Sequence, residues 1–127
     1  MAQILIVDDD PSLLKLVGLL MNKLPAQTLS AANGKTALDL ISSARPDLVI
    51  LDLMLPDMDG FEILRRIRAQ PALDALPVLI LSAKADPSSI RVALDSGADG
   101  YVTKPYIASN LVDRVRTLLS SQRTLPA

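Results

Sequence analysis

Three short apolar runs constrain the fold of this chain more than any other feature of its sequence. They occupy residues 4–7, 48–51 and 78–81, and each consists only of Ile, Leu and Val. A strand with one face in water alternates apolar and polar residues, so unbroken runs indicate strands that are buried on both faces. Two weaker runs, at residues 27–30 and 101–103, complete a predicted set of five strands in a parallel sheet.

The segments between these runs have the periodicity and the start signals of amphipathic helices. An Asp, Asn or Ser before the first apolar turn can cap a helix, and a proline is tolerated at the first helical position. Asp59 and Glu62 also have the spacing of a capping box. The predicted helix starts are Asp10 with Pro11, Asn33 with Gly34, Asp59 with Glu62, and Asp86 with Pro87. Strands and helices therefore alternate as five βα units.

Composition narrows the classes of function. The chain has 127 residues, a net charge of −1, no Cys and no His. These values predict one domain, over residues 1–120, with residues 121–127 as a disordered tail or the start of a linker. They argue against a nucleic-acid surface, a disulfide framework and thiol or imidazole chemistry. No apolar run approaches the roughly 20 residues of a membrane span and no signal peptide is recognisable, so we expect a cytoplasmic protein.

Polar residues follow the predicted strands, at the edge where ligands bind in open α/β sheets. The first strand ends in three acids, the third in an acid, the fourth in a hydroxyl and the fifth in an ammonium group. These residues are Asp8, Asp9 and Asp10, then Asp52, Ser82 and Lys104. Crowded carboxylates repel one another, and oxygen ligands without His or Cys favour a hard cation such as Mg²⁺. The group could therefore bind a phosphoryl group and let a carboxylate attack phosphorus.

Four motifs in this order resemble the signature set of two-component receiver domains, over about residues 3–119. They are Val7-Asp8-Asp9, the segment LDLMLPDMDG at residues 51–60, Leu81-Ser82-Ala83, and YVTKP at residues 101–105. The resemblance implies a doubly wound five-stranded parallel sheet with the flavodoxin-like order 2-1-3-4-5. It also implies signalling by reversible phosphorylation, in which the domain assists its own phosphorylation and dephosphorylation and turns over no external substrate.

The resemblance also implies a role for each residue at the strand ends. Asp52 would accept the phosphoryl group from a sensor histidine kinase or a phosphotransfer protein. Asp9, Asp52 and the backbone carbonyl of Met54 would bind Mg²⁺ directly, and Asp8 would hold the ion through water. Mn²⁺ could substitute for Mg²⁺.

Four further residues have roles that only the resemblance suggests. Lys104 would pair with Asp52 and later with the phosphoryl group. Ser82 and Tyr101 occupy the two switch positions of the family, and the peptide bond before Pro105 would be cis.

The surface formed by the fourth helix, fifth strand and fifth helix could then change on phosphorylation and support a homodimer. Candidate charges on that surface are Asp95, Asp99, Arg114 and Arg116. Gly100 stands where winged-helix regulators usually carry a second Asp, so that subfamily is not assigned.

Several alternatives were weighed. Asp10 is better explained as a helix cap than as a metal ligand, because Pro11 follows it. The D-x-D-G run at residues 57–60 resembles a phosphatase motif or an EF-hand loop, but it lies five residues past the strand end and Leu55 stands where an EF-hand needs an acid. A flavodoxin-like FMN carrier needs a phosphate loop where this chain has three acids. A pseudo-receiver that only binds partners remains an alternative.

Overall fold

The computed structural model describes residues 1–121, and within them five parallel strands form one sheet. The order is β2-β1-β3-β4-β5, as predicted. The strands are β1 (Ala2–Val7), β2 (Ala26–Ala31), β3 (Leu48–Leu51), β4 (Val78–Ser82) and β5 (Gly100–Thr103). The two weaker runs are both strands, and each extends slightly beyond the predicted residues.

In the described part of the chain, four α-helices connect the strands and a fifth follows β5. They are α1 (Pro11–Met21), α2 (Gly34–Ala44), α3 (Gly60–Arg68), α4 (Pro87–Asp95) and α5 (Ala108–Ser121). A short 3-10 helix at Pro71–Leu73, which the sequence did not predict, lies between α3 and β4. Ser121 is the last residue of α5, and the rest of the predicted tail lies outside the described residues. Over residues 1–121, no helix combines the length and the apolar character needed to cross a membrane.

The hydrophobic core has two layers, one on each face of the sheet. Alternate residues of the unbroken apolar runs point to opposite layers, so Leu5 and Val7 join one layer and Ile4 and Ile6 the other. Helices α2, α3 and α4 cover the first layer, and α1 and α5 cover the second. The largest fully buried side chains are Ile, Leu and Met, which compensates for the scarcity of aromatic residues.

Four helices begin at the predicted caps. The side chains of Asp10, Asn33, Asp59 and Asp86 accept hydrogen bonds from backbone N–H groups of the first turn that follows each. The predicted capping box is wrong in one respect. The carboxylate of Glu62 does not return to the cap but accepts from Arg65 at 2.9 Å and Arg66 at 3.1 Å. Arg65 and Arg66 lie one turn further along the same face of α3, and they bind the carboxylate in place of the backbone N–H of the cap.

A partly buried polar cluster centred on Arg68 connects α3 with the starts of β4 and β5. The guanidinium group donates to the carbonyls of Leu73, Leu76 and Gly97 and to the carboxylate of Asp99 at 3.0 Å. Asp99 also accepts from the N–H of Val78 at 2.8 Å. The side chain of Asp99 is only 14% exposed. Asp99 was predicted among the charges of a dimer surface, but its carboxylate binds Arg68 and Val78 inside the domain.

Arg68→Met should destabilise the domain strongly. The substitution leaves three carbonyl groups and a carboxylate of low exposure without the guanidinium, and removing one partner of a buried ion pair typically costs about 3–5 kcal/mol. Because the pair is only partly buried, we expect the lower end, about 3 kcal/mol, in urea unfolding. The matched control is Arg66→Met on the same helix, whose ion pair with Glu62 is exposed and is expected to contribute less than about 1 kcal/mol. Equal losses in the two variants would contradict this assignment.

Candidate functional site

The sheet itself positions the residues at its carboxyl edge. The hydrogen-bond ladder continues for one residue past three strands: Asp8 N–H donates to Ala31 at 3.0 Å and Asp52 N–H donates to Val7 at 3.0 Å. Lys104 N–H donates to the carbonyl of Ser82 at 2.9 Å. Each chemical group therefore starts from backbone that is as well ordered as the strand before it.

Three carboxylates meet at this edge. Each of Asp8, Asp9 and Asp52 offers an oxygen, and these oxygens lie within 4.8 Å of one another. Asp8 and Asp52 are 2% and 5% exposed, whereas Asp9 is exposed to solvent. Mg²⁺ binds oxygen at about 2.0–2.1 Å, which places its ligand oxygens roughly 3–4 Å apart. A small closure of the group would suit that ion, and the exposed Asp9 leaves a side open for water ligands.

Lys104 is hydrogen-bonded to two of these acids. Its Nζ lies 2.6 Å from Oδ2 of Asp8 and 3.1 Å from Oδ2 of Asp52. The contact with Asp52 agrees with the sequence-based expectation, and the shorter contact with Asp8 was not predicted. Burial by itself would lower the pKa of Lys104, but hydrogen bonds to Asp8 and Asp52 outweigh it and raise the pKa. The ammonium group therefore stays charged at neutral pH.

The site has an excess of negative charge. Burial raises the pKa of Asp8, opposed by its hydrogen bond from Lys104, and the charge of Asp52 adds to the rise. One ammonium group faces three carboxylates. An additional cation would relieve this repulsion, and the donor set contains only oxygen, which suits Mg²⁺ or Mn²⁺ better than a softer metal.

The loop after β3 orients the second oxygen of Asp52. The N–H of Met54 donates to Asp52 Oδ1 at 3.1 Å. Met54 also forms an isolated antiparallel bridge with Asp59, and Gly60 N–H donates to the carbonyl of Leu53 at 2.9 Å. A Cβ at position 60 would lie 2.5 Å from the Asp52 carbonyl oxygen, so only glycine allows α3 to begin this close to the acid.

Ser82 and Tyr101 both contact the backbone of Lys84, in the loop that follows β4. The fully buried Ser82 Oγ accepts from Lys84 N–H at 3.3 Å, and the Tyr101 hydroxyl donates to the Lys84 carbonyl at 2.6 Å. Burial and the charge of Asp86 raise the pKa of Tyr101, and Ser82 partly opposes the rise. The two switch positions suggested by the resemblance are thus connected through a single residue.

Two other sequence-based predictions at this edge agree with the structure. Asp10 accepts from Ser12 N–H at 2.9 Å and caps α1, in agreement with its interpretation as a cap. The Lys104–Pro105 peptide bond is cis.

Asp57 has a structural role that the sequence did not predict. Its carboxylate binds two N–H groups at the start of α2, from Gly34 at 2.7 Å and Lys35 at 2.9 Å. These bonds lower the pKa of Asp57. A signal was present, because α2 has no acidic residue in its own first turn and an acid from another segment could serve there.

Comparisons with known proteins agree with this geometry. The family model described as the response regulator receiver domain matches residues 4–116. The DNA-binding response regulator MtrA of Mycolicibacterium smegmatis is 41% identical over 98% of this chain and 54% of its own length. The transcriptional regulatory protein AfsQ1 of Streptomyces coelicolor is 40% identical over 94% of this chain and 52% of its own length. The chain thus spans about half the length of these curated relatives.

A solved receiver-domain structure has the same fold as this chain. The BeF3-activated N-terminal receiver domain of Klebsiella pneumoniae RstA superposes with a TM-score of 0.85 at 30% identity. The alignment covers 92% of this chain and 97% of that one.

Mg²⁺ should stabilise the protein against heat through the three carboxylates. At about ten times its dissociation constant, a ligand that binds only the folded state adds about 1.4 kcal/mol, which corresponds to a rise in Tm of a few degrees. Asp9→Ala should lose most of this increment in differential scanning calorimetry. Asp39→Ala, which removes an exposed acid from α2, should keep it. If Asp9→Ala shows the full rise in Tm with Mg²⁺, the ion does not bind through Asp9.

Proposed function

The chain belongs to the response regulator receiver domain family, and we propose that it acts in two-component signalling by accepting a phosphoryl group on Asp52. The observation that supports this most strongly is the environment of Asp52. Its carboxylate is nearly buried, one oxygen faces Lys104, the other accepts from Met54, and two more acids lie beside it. A simple structural acid would not require this arrangement.

In the proposed reaction, a carboxylate oxygen of Asp52 attacks the phosphorus of a phosphohistidine. The new oxygen–phosphorus bond forms as the nitrogen–phosphorus bond breaks, and the electron pair of that bond returns to the imidazole. Lys104 lies 3.1 Å from Asp52 Oδ2 and can compensate negative charge on the phosphoryl oxygens. Ser82 can donate a hydrogen bond to one of them.

Asp8, Asp9, Asp52 and the carbonyl of Met54 are the proposed holders of Mg²⁺. When bound, the ion would supply the positive charge that lets an anionic phosphoryl group approach a cluster of acids. Mn²⁺ would serve the same purpose. Because the acids exceed the nearby positive charge without the ion, we expect phosphorylation to depend on added divalent metal.

The partner that we propose is a sensor histidine kinase or a phosphotransfer protein. We propose no direct contact with nucleic acid for this domain, because a net charge of −1 provides no general attraction for phosphate backbones. MtrA is named as a DNA-binding response regulator and AfsQ1 as a transcriptional regulatory protein, and on that basis we propose a transcriptional output for a longer protein that contains this domain. An interaction-only pseudo-receiver is the second candidate, and the experiment below separates the two.

Asp52→Asn should abolish phosphorylation. We expect wild type to take up one phosphoryl group from acetyl phosphate and Mg²⁺, detected on intact protein by mass spectrometry and mapped to the peptide with residue 52. The amide keeps the shape of the carboxylate but is a far weaker nucleophile. Asp39→Asn removes an acid of equal size outside the site and should be modified as wild type is.

Either of two results would contradict the proposal. Modification that persists in Asp52→Asn would place the acceptor elsewhere. Failure of wild type to react with any phosphodonor or to bind beryllofluoride would support the pseudo-receiver.

We further propose that phosphorylation changes the surface of α4, β5 and α5. Ser82 Oγ now accepts from Lys84 N–H, and a dianion on Asp52 would offer the Ser82 O–H a charged acceptor to which it could donate. Turning Ser82 toward that dianion would break its bond with Lys84. The Lys84 carbonyl also anchors the Tyr101 hydroxyl, so the loop after β4 and the tyrosine would shift together.

The switch predicts a definite pattern of amide chemical shifts. Addition of beryllofluoride should move resonances of residues 83–103 as well as those around Asp8, Asp52 and Lys104. Ser82→Ala should still bind beryllofluoride but lose most of the shifts in residues 83–103, because the hydroxyl that connects the two regions is gone. Changes confined to the acids and Lys104 in wild type would mean that Tyr101 is static packing.

A further inference from the structure

Asp57 attaches the loop between β3 and α3 to a distant helix. Its two carboxylate oxygens accept separately from Gly34 N–H at 2.7 Å and Lys35 N–H at 2.9 Å, across 23 and 22 residues of sequence. The next N–H group of α2, from Thr36, is already bound by the local cap Asn33 at 2.8 Å. Asp57 therefore completes the first turn of α2 from outside the helix.

The adjacent residue adds a hydrophobic contact at the same place. Met58 packs directly over Gly34, where a Cβ would collide with its side chain. The loop thus meets the start of α2 through a charged residue and an apolar one in succession. A loop held only by its own ends would not have this second attachment.

The inner side of the same loop reaches the acceptor. Met54 and Asp59 form a bridge that closes the loop, and Met54 N–H donates to Asp52 Oδ1 at 3.1 Å. Asp57 stands at the outer turn between these two bridged residues. A displacement of the outer turn would therefore be carried to Met54, and from there to the direction of the N–H group that contacts Asp52.

We propose that Asp57 is a positioning residue for phosphoryl transfer: its hold on the first turn of α2 keeps Met54 where its backbone orients Asp52 and faces the metal. This inference rests on the proposed function of Asp52. Asp57 touches neither the acids nor Lys104 among its described hydrogen bonds, so its effect is exerted through Met54.

The test compares two caps of the same helix. Asp57→Ala removes the bonds to Gly34 and Lys35, and Asn33→Ala removes the bond to Thr36, so both weaken the start of α2 by a similar amount, typically about 1 kcal/mol. Only Asp57→Ala also detaches the loop between β3 and α3 from α2. Asp57→Asn retains one acceptor oxygen and serves as a conservative variant if Asp57→Ala folds poorly. Mn²⁺ is the metal probe, followed by electron paramagnetic resonance, and acetyl phosphate with Mg²⁺ is the phosphodonor.

We expect Asp57→Ala to bind Mn²⁺ several-fold more weakly and to accept phosphate about tenfold more slowly, since small misplacements of reacting groups have effects of this size or larger. Asp57→Asn should fall between it and wild type, and Asn33→Ala should match wild type in both measurements. Equal behaviour of the Asp57 and Asn33 variants would overturn the proposal and leave Asp57 as a helix cap. A wild-type protein that binds Mn²⁺ but takes no phosphate would refute the proposed function alone, because the Mn²⁺ comparison would still decide the role of Asp57.

Discussion

The pair of hydrogen bonds from Lys104 to Asp8 and Asp52 is the interaction on which the carboxyl edge of the sheet depends. The two bonds join the ends of β1 and β3 to Lys104 at the end of β5. Asp8 and Asp52 lie 96 and 52 residues from Lys104 in sequence. Without the ammonium group, two nearly buried carboxylates would lie side by side with no positive charge between them. Even with this ammonium group, the three carboxylates leave the site with an excess of negative charge. A stable fold and an incomplete charge balance are thus produced by the same three residues.

The sequence was sufficient to predict the fold and the meeting of the acids with Lys104 at one edge of the sheet, because both follow from short-range patterns. Unbroken apolar runs indicated the two-sided sheet, and polar residues directly after them indicated which edge carries the chemistry. What it could not supply are contacts between segments that have no common periodicity. The Arg68 cluster, the hold of Asp57 on α2 and the shorter contact of Lys104 with Asp8 all depend on how loops approach each other. The Glu62 error has the same origin, since spacing alone cannot decide between a backbone group and two arginines.

The loop between β3 and α3 shows how a short segment can combine several constraints. Within it, Met54 contacts Asp52, Asp57 contacts α2 and Asp59 caps α3. Gly60 then permits the closest approach of α3 to the strand end. These contacts leave the loop little freedom of its own, although it has no regular secondary structure. Met54 itself is exposed, so its position depends on the hydrogen bonds of its backbone and on the anchors of its neighbours in the loop.

The Arg68 cluster has a consequence for how this domain could be altered. It lies at the amino edge of the sheet, where β4 and β5 begin, whereas the acids and Lys104 lie at the carboxyl edge. One edge is closed by satisfied hydrogen bonds and the other is left electrically unbalanced. The contacts that connect elements of the fold and the acids that we propose to react therefore lie at opposite ends of the same strands. The acids could therefore be substituted to bind another ion or anion without altering the Arg68 cluster, whose contacts would continue to stabilise the fold.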